Sequence, residues 1–194
     1  MRPWGALTAT LAAVLVVAGC GGSPPQGFPD LNSPIEAPTS TSVAPTPPAQ
    51  LPDPTAISIP SLSITAPTQH LELDAWKAVN IAPLDKAPMH TGWYEVSATS
   101  PVVIMGHVDY NGKAVFGQLH TIKVGAQIIL TRSDGSKQTY VVYLLQQISK
   151  KKFPSQQVYG PTPTPEIRAV TCTGEFDKSA KSYLDSFVVY AKLA

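Results

Sequence analysis

Two residues of types that serve nucleophilic catalysis stand where predicted strands end. Cys172 follows the β-branched strand residues Val170 and Thr171 and precedes a glycine-bearing loop, and His107 follows an apolar run at 102–104 and a glycine. Cysteine catalysis needs a thiolate and a proton donor for the leaving group, and an imidazole close to a thiol supplies both. If the fold brings both strand ends to one rim, the pair predicts a cysteine nucleophile assisted by a histidine. Taken singly, a cysteine at a strand end is more often a buried packing residue than a nucleophile.

The first twenty residues have the pattern of an export signal. One positive charge at Arg2 precedes an uncharged, mostly apolar run over 4–19, and the small residues Ala18 and Gly19 come directly before Cys20. This order is typical of signal peptides, and its end resembles a bacterial lipobox, in which Cys20 becomes the lipidated first residue. An uncleaved anchor is disfavoured because the run is shorter than the ~20 residues that span a bilayer. An ordinary cleavable signal is the other alternative.

Each of these alternatives places the folded part outside the cytoplasm. We predict a location at the outer face of the bacterial cytoplasmic membrane, in the cell envelope, with the membrane contacted through a lipid anchor on Cys20. Cys172 is the only other cysteine. If Cys20 carries lipid, Cys172 has no intramolecular disulfide partner in an oxidising compartment, which favours a reactive role for the thiol.

Residues 21–55 predict a disordered linker. Of the 20 prolines in the chain, ten fall between Pro24 and Pro54, together with many serines, threonines and alanines. Such a segment buries too little apolar surface to offset its ordering entropy. Its prolines favour extended conformations, so it could hold the domain about 100 Å from a membrane. The alternative is a disordered tail without a spacing role.

Residues 56–194 predict an all-β domain. Short runs at 57–59 and 62–64 alternate apolar and polar residues as half-buried strands do, and 102–104 and 188–190 are further core strands. Residues 127–131 and 139–145 form a predicted hairpin around Asp134 and Gly135. Helical signals are confined to a turn or two near 73–79 and 115–120. Many short strands at close spacing indicate a β-barrel or sandwich of about 140 residues.

Composition excludes several classes of partner. The 194 residues carry a formal net charge of +1, which suggests no nucleic-acid partner. The run Lys150, Lys151 and Lys152 is interpreted as a solvated strand end or turn. The other histidines, at 70, 90 and 120, lack the spacing of metal ligands. We predict no metal and no cofactor.

Several segments, in order and spacing, resemble the sortase family. The similar segments read Ile-Pro-Ser-Leu at 59–62, Gly-Trp-Tyr at 92–94, Val-Ile-Met-Gly-His-Val-Asp at 103–109, Phe-Gly-Gln-Leu at 116–119 and Val-Thr-Cys at 170–172. The Thr-Gly-Glu-Phe-Asp continuation at 173–177 looks most like the actinobacterial group called class F. The resemblance covers residues 56–193.

What the resemblance implies is an eight-stranded β-barrel with one or two short helices, acting as a cysteine transpeptidase. Such an enzyme cleaves a Leu-Pro-x-Thr-Gly-like sorting signal at the C-terminus of exported proteins. By analogy Cys172 forms the thioester with the threonyl carbonyl, His107 exchanges protons with the leaving and incoming amines, and Thr171 lines the peptide groove. The acceptor implied is an amine of the cell wall or of a protein.

The sequence departs from the family at one position. Sortases generally place an arginine on the strand after the cysteine, where it binds the developing oxyanion, and no arginine follows Cys172. Leu184 and Ser186 occupy the corresponding positions. The best available candidate is Arg168, which shares strand parity with Cys172 but lies about 13 Å upstream along an extended strand. Arg132, beside the hairpin turn, is predicted to be a solvated surface charge. The remaining candidates are backbone amides, Lys181, Tyr183 and Ser186.

Two other functions stay open at this point. A non-catalytic envelope lipoprotein could keep the barrel and bind sorting-signal peptides without cleaving them, and the missing arginine favours that alternative. An L,D-transpeptidase is also an envelope enzyme with cysteine and histidine. It would carry them close together in a short motif, whereas here 65 positions separate His107 from Cys172.

Overall fold

The computed structural model describes residues 51–75 and 77–194. Cys20, the predicted signal sequence and most of the predicted linker lie outside the described residues. The described part contains eight strands and one short α-helix: β1 Pro54–Ile59, β2 Ile64–His70, β3 Thr91–Tyr94, β4 Val102–Met105, β5 Gln127–Arg132, β6 Lys137–Ser149, α1 Ser155–Tyr159, β7 Glu166–Asp177 and β8 Ser182–Leu193. Short 3-10 turns occupy Pro60–Leu62, Ala82–Lys86, Leu119–Thr121 and Lys150–Lys152.

The strands close into a barrel in the order β1-β2-β3-β4-β7-β8-β6-β5. The pairs β2–β3 and β4–β7 are parallel, and the other six neighbouring pairs are antiparallel. Closure leaves no unpaired sheet edge. The prediction of an eight-stranded all-β barrel with few short helices is confirmed.

The barrel interior is filled by residues that alternate along the strands. In β1, Ile57 and Ile59 are buried, and in β5, Ile128 and Leu130 are buried. Successive strand side chains point to opposite faces, so this period-two pattern places one apolar row inside. The predicted hairpin forms between β5 and β6, and Gly135 supplies the positive φ of 83° that its turn requires.

The outer face of one side of the barrel is also apolar, and it is covered. Val103 and Met105 of β4 pack with Leu71 and Leu84 from the long connection between β2 and β3, and Val170 of β7 packs against this cluster. A third cluster joins β8 to the segment around α1: its buried members are Val158, Val188 and Tyr190. Two irregular segments therefore stand over strands β4, β7 and β8, and they leave a cleft between them.

Local structure agrees with one of the two predicted helical regions and differs from the other. Near 115–120 the chain forms turns over 115–118 and the 3-10 turn Leu119–Thr121, whereas around 73–79 the described residues form an isolated bridge between Leu73 and Val79. The helix α1, five residues long, was not predicted. Within the described residues, no helix has the length and apolar character that crossing a membrane requires.

Candidate active site

The register of two parallel strands brings His107 and Cys172 together. The last paired residues of β4 and β7 are Met105 and Val170, and His107 and Cys172 each come two residues later. The Gly106 N–H donates to the carbonyl oxygen of Val170 at 3.2 Å, which continues the ladder beyond the last pair. Because side-chain direction repeats every two residues, both functional side chains emerge at one level on one face, and both line the same cavity.

Close packing fixes the end of β4 and the adjoining part of β7. A Cβ atom at Gly106 would lie 2.6 Å from Val115 Cγ1 and 2.7 Å from Phe116 Cδ2, so only glycine fits there. The Phe116 N–H donates to the carbonyl oxygen of His107 at 3.0 Å. Thr171 is buried and its hydroxyl donates to the Gly106 carbonyl at 2.9 Å, which ties β7 to the β4 exit. Thr171 also lines the cavity beside Cys172.

An acidic and an aromatic side chain hold the imidazole of His107. Its Nε2 lies 3.1 Å from Oδ1 of Asp85, and the imidazole is 13% exposed. The ring stacks on Tyr110 with centroids 4.9 Å apart. A carboxylate can only accept, so Asp85 fixes a proton on Nε2 and leaves Nδ1 for proton exchange.

The thiol of Cys172 is half-buried and has polar neighbours. Ser186 lies directly opposite on β8 and is also buried. From the other side, Lys150 Nζ lies 3.4 Å from the Cys172 sulfur and 2.9 Å from the hydroxyl of Ser182. The ammonium group therefore contacts the atom whose thiolate form attacks a carbonyl.

An apolar cavity of about 330 Å³ opens beside the thiol and the imidazole. Its apolar wall is formed by Val79, Ile81, Leu84, Met105, Phe153, Tyr159 and Val170. Burial, with a contribution from Tyr94, raises the pKa of Tyr159 to about 12, so this wall stays uncharged at neutral pH. Mostly apolar walls with a few convergent polar groups are typical of binding clefts. The cavity is suited to an extended peptide with apolar side chains.

A second cavity of about 420 Å³ lies on the other side of the His107 and Cys172 pair and includes both residues in its lining. Asp85 and Asp109 line it together with Lys150, Lys181 and Tyr183. The Tyr183 hydroxyl donates to Asp109, and this hydrogen bond, helped by partial burial, raises the pKa of Tyr183. The two cavities differ in character, since the first is apolar and the second carries carboxylates.

The structure does not bring Arg168 to Cys172, which corrects the expectation that its side chain leans toward the thiol. Arg168 is 3% exposed, its Nη1 lies 2.5 Å from Glu166 Oε2, and its guanidinium stacks over the Tyr190 ring at 4.5 Å. Arg168 and Cys172 lie on the same face of β7, as predicted. Glu166 lies on that face too, two residues before Arg168, and binds its guanidinium. Neither of the two cavities at the thiol is lined by Arg168.

Arg132 is not the solvated surface charge that the sequence predicts. It is buried, its Nη1 donates to the carbonyl oxygen of Pro52 at 2.6 Å, and its Nε donates to Gln138 at 2.6 Å. The chain that leads into β1 covers it. Both arginines of the described residues therefore have structural partners away from the thiol.

The sequence does not predict three residues that lie near the thiol and the imidazole: Asp85, Lys150 and Ser182. Asp85 lies in an irregular connection, and no pattern in the sequence links it to His107. Lys150 was interpreted as one of three solvated lysines, although it directly follows a long strand whose end reaches the level of Cys172. Within the described residues, no group of three or more His, Cys, Asp or Glu side chains could hold a metal ion.

Comparison with known proteins identifies one protein family whose model matches this sequence, and several solved structures with a similar fold. A family model described as "Sortase: Sortase domain" matches residues 57–194. No curated protein matches the chain significantly. The matched segment contains every strand from β2 onward and the second half of β1.

Several solved structures are similar to this barrel. A lid mutant of sortase A from Corynebacterium diphtheriae is 21% identical with a TM-score of 0.54, and the match covers 76% of this chain and 73% of that chain. Sortase C-1 from Actinomyces oris is 16% identical with a TM-score of 0.57, covering 73% and 75%. Sortase C from Streptococcus pneumoniae is 17% identical with a TM-score of 0.57, covering 72% and 64%. At these identities the likeness shows the fold.

Proposed function

Because the chain belongs to the sortase family, we propose that it is a cysteine transpeptidase that cleaves a Leu-Pro-x-Thr-Gly-like sorting signal on exported proteins. The observation that carries the proposal is the placement of His107 and Cys172 at one level on neighbouring strands, both lining one apolar cavity. A nucleophile with an adjacent acid and base in a cleft is the arrangement that acyl transfer needs.

The proposed reaction has two steps. In the first, the Cys172 sulfur attacks the threonyl carbonyl, the carbonyl π electrons move to oxygen, and the C–N bond then breaks as His107 gives its proton to the departing amine. In the second, an incoming amine attacks the thioester, His107 takes its proton, and the Cys172 thiolate leaves. The product is a new amide between the sorting-signal carboxyl group and the acceptor.

The two cavities suit the two substrates of this reaction. The apolar cavity accepts the leucine and proline side chains of the signal, with Thr171 in its wall. The second cavity is lined by Asp85 and Asp109 and also by Lys150 and Lys181. We assign the acceptor amine of a cell-wall peptide or a protein to it because it includes both Cys172 and His107, which takes the proton of the amine. Both open onto Cys172, so the thioester is formed from one side and resolved from the other.

We assign the protein to the class F type on the residues that follow the nucleophile, Thr-Gly-Glu-Phe-Asp at 173–177. We also propose that it is anchored at the outer face of the cytoplasmic membrane by lipid on Cys20. Metabolic labelling with a fatty-acid analogue, lost in Cys20→Ala, tests the anchor.

The activity is tested with the full-length protein, a degenerate Leu-Pro-x-Thr-x peptide pool and hydroxylamine, followed by mass spectrometry of the peptides. We expect hydroxamates that end in threonine, formed by the wild type and absent with Cys172→Ala. If peptides bind and no hydroxamate forms, the transpeptidase proposal is wrong and a peptide-binding protein without catalysis takes its place. Absence of both binding and product would show that the proposed substrate is wrong.

A further inference from the structure

The sequence lacks an arginine after Cys172, yet a cation from a different strand lies at the thiol. Lys150 begins the 3-10 turn Lys150–Lys152 that directly follows β6. Its Nζ lies 3.4 Å from the Cys172 sulfur. No arginine among the described residues lines either cavity at the thiol, since Arg132 and Arg168 bind partners elsewhere.

Sheet register explains how Lys150 reaches a residue two strands away. Ile148 of β6 pairs with Ser186 of β8, and Ser186 pairs with Cys172 of β7. The three residues form one row across the sheet, so Cys172 lies about 10 Å from the β6 backbone. Lys150 follows Ile148 by two residues, and its long side chain extends over β8 toward the sulfur.

A second contact holds the ammonium group in this position. Lys150 Nζ lies 2.9 Å from the hydroxyl of Ser182 at the start of β8. Two ion pairs form among the described residues, His107 with Asp85 and Arg168 with Glu166. Lys150 therefore forms no ion pair with a described carboxylate. Its charge is therefore available to the sulfur and to a bound substrate, and Lys150 lines both cavities.

We propose that Lys150 is a catalytic residue that provides, from β6, the positive charge that the missing arginine would otherwise provide at Cys172. This proposal rests on the transpeptidase reaction proposed above. Lys150 stabilises the thiolate before attack. As the sulfur–carbon bond forms and the carbonyl electrons move to oxygen, the same ammonium, keeping all its protons, donates a hydrogen bond to that oxygen.

The expected size of the effect follows from the two roles. The Lys150 ammonium lies 3.4 Å from the Cys172 sulfur. At this distance its attraction for a negatively charged sulfur is large enough to change the rate at which the sulfur reacts. Removal of one donor to a developing oxyanion costs about 10²–10³-fold in kcat in enzymes of this type of chemistry. Lys150 should therefore affect kcat more than KM, because the oxyanion forms only after binding.

The test compares Lys150→Met, Lys150→Arg and, as the matched control, Lys151→Met, all in a Cys20→Ala background so that Cys172 is the only thiol. The first readout is the rate of alkylation of Cys172 by iodoacetamide at pH 7, which needs no peptide substrate. The second is kcat and KM for hydroxamate formation. Circular dichroism confirms that each variant is folded.

We expect Lys150→Met to slow alkylation at least fivefold and to lower kcat at least 100-fold, Lys150→Arg to keep kcat within about tenfold, and Lys151→Met to match the parent. Parent-like alkylation and parent-like kcat in Lys150→Met would overturn the proposal, as would an equal loss in Lys151→Met. The alkylation readout separates this proposal from the proposed function. If no peptide is cleaved by the parent protein but alkylation still depends on Lys150, the substrate proposal fails and the assignment of Lys150 to the thiol stands.

Discussion

Strand β7 carries two cation sites on one face, one near its start and one near its middle, and the two sites are built differently. At its start, Arg168 is buried, bound to Glu166 and stacked on Tyr190. Four residues later on the same face, the Cys172 sulfur lies next to the ammonium of Lys150, a residue that is exposed to solvent. Both sites place positive charge on one strand face, but only at the Cys172 site is that charge without an ion-pair partner among the described carboxylates.

The difference follows from the cost of burying charge. A charged group taken out of water must be paired and hydrogen-bonded, and Glu166 does this for Arg168, while the Tyr143 hydroxyl donates to Glu166 at 2.7 Å. A cation paired in this way is not free to bind a transient oxyanion. Lys150 is exposed to solvent and contacts the thiol with its ammonium group, so its charge can respond to the reaction. The comparison predicts that changes at the Arg168 site lower the stability of the fold, whereas changes at the Cys172 site lower the turnover of the enzyme.

The largest effect on turnover is expected at the Cys172 site, from His107→Ala. Loss of the acid and base should lower hydroxamate formation by about 10²–10⁴-fold, with the free energy of unfolding changed by less than about 1 kcal/mol. Turnover is measured under saturating peptide, and the free energy by urea unfolding. Alkylation of Cys172 serves as the control for an intact thiol. Turnover within threefold of wild type would remove His107 from the reaction.

The opposite result is expected from Arg168→Met. It leaves the Glu166 carboxylate without its buried partner and should lower the free energy of unfolding by about 3–5 kcal/mol. Turnover per folded molecule should stay within threefold of wild type. The double variant Arg168→Met with Glu166→Leu should recover part of the stability, because no unpaired charge remains. A tenfold loss of turnover in the folded fraction would place Arg168 in the site and break the comparison.

The smallest effect is expected from Tyr143→Phe. Loss of its hydrogen bond to Glu166 should cost about 1 kcal/mol or less at neutral pH, because Tyr143 is 40% exposed. Burial, followed by the bond to Glu166, raises the pKa of Tyr143. Because the phenol has a higher pKa in the folded than in the unfolded state, Tyr143 contributes stability that is fully present at pH values below its ordinary pKa of about 10. This stability is lost as the pH rises from about 10 through the higher pKa of the folded state. Urea unfolding should show the wild-type advantage shrinking from pH 9 to pH 11; a constant advantage would exclude the linkage.

Much of the barrel was predictable from the sequence because its signals are local. Period-two alternation in β1 and β5 and the Asp134-Gly135 turn depend on neighbouring residues alone. The pairing of His107 with Cys172 was also predictable, because each residue follows an apolar strand run. The predicted strand end at Cys172 was wrong, however, since β7 continues through Asp177 and Cys172 lies inside it. The resemblance to the sortase family then supplied the eight-stranded barrel, which local patterns alone left open as a barrel or a sandwich.

The contacts that were missed depend on register between distant strands. The position of Lys150 opposite Cys172 follows from the pairing of β6 with β8, which includes a register shift between Val142 and Leu144. Nothing in the local sequence gives that shift. Asp85 reaches His107 from an irregular connection whose path is set by packing of Leu84 on the outer apolar cluster. By contrast, the pairing of Arg168 had a visible signal, since Glu166 lies two residues away on the same strand face.

The central claim is that Cys172 carries the acyl group, and the intact mass of the protein tests it most directly. The full-length protein is incubated with a Leu-Pro-x-Thr-Gly peptide without an added amine and quenched in acid. The account predicts a mass increase equal to the threonine-ended fragment less one water, located by peptide mapping on Cys172 and removed by hydroxylamine. Cleavage that proceeds in Cys172→Ala, or an adduct that maps to another residue, would contradict it.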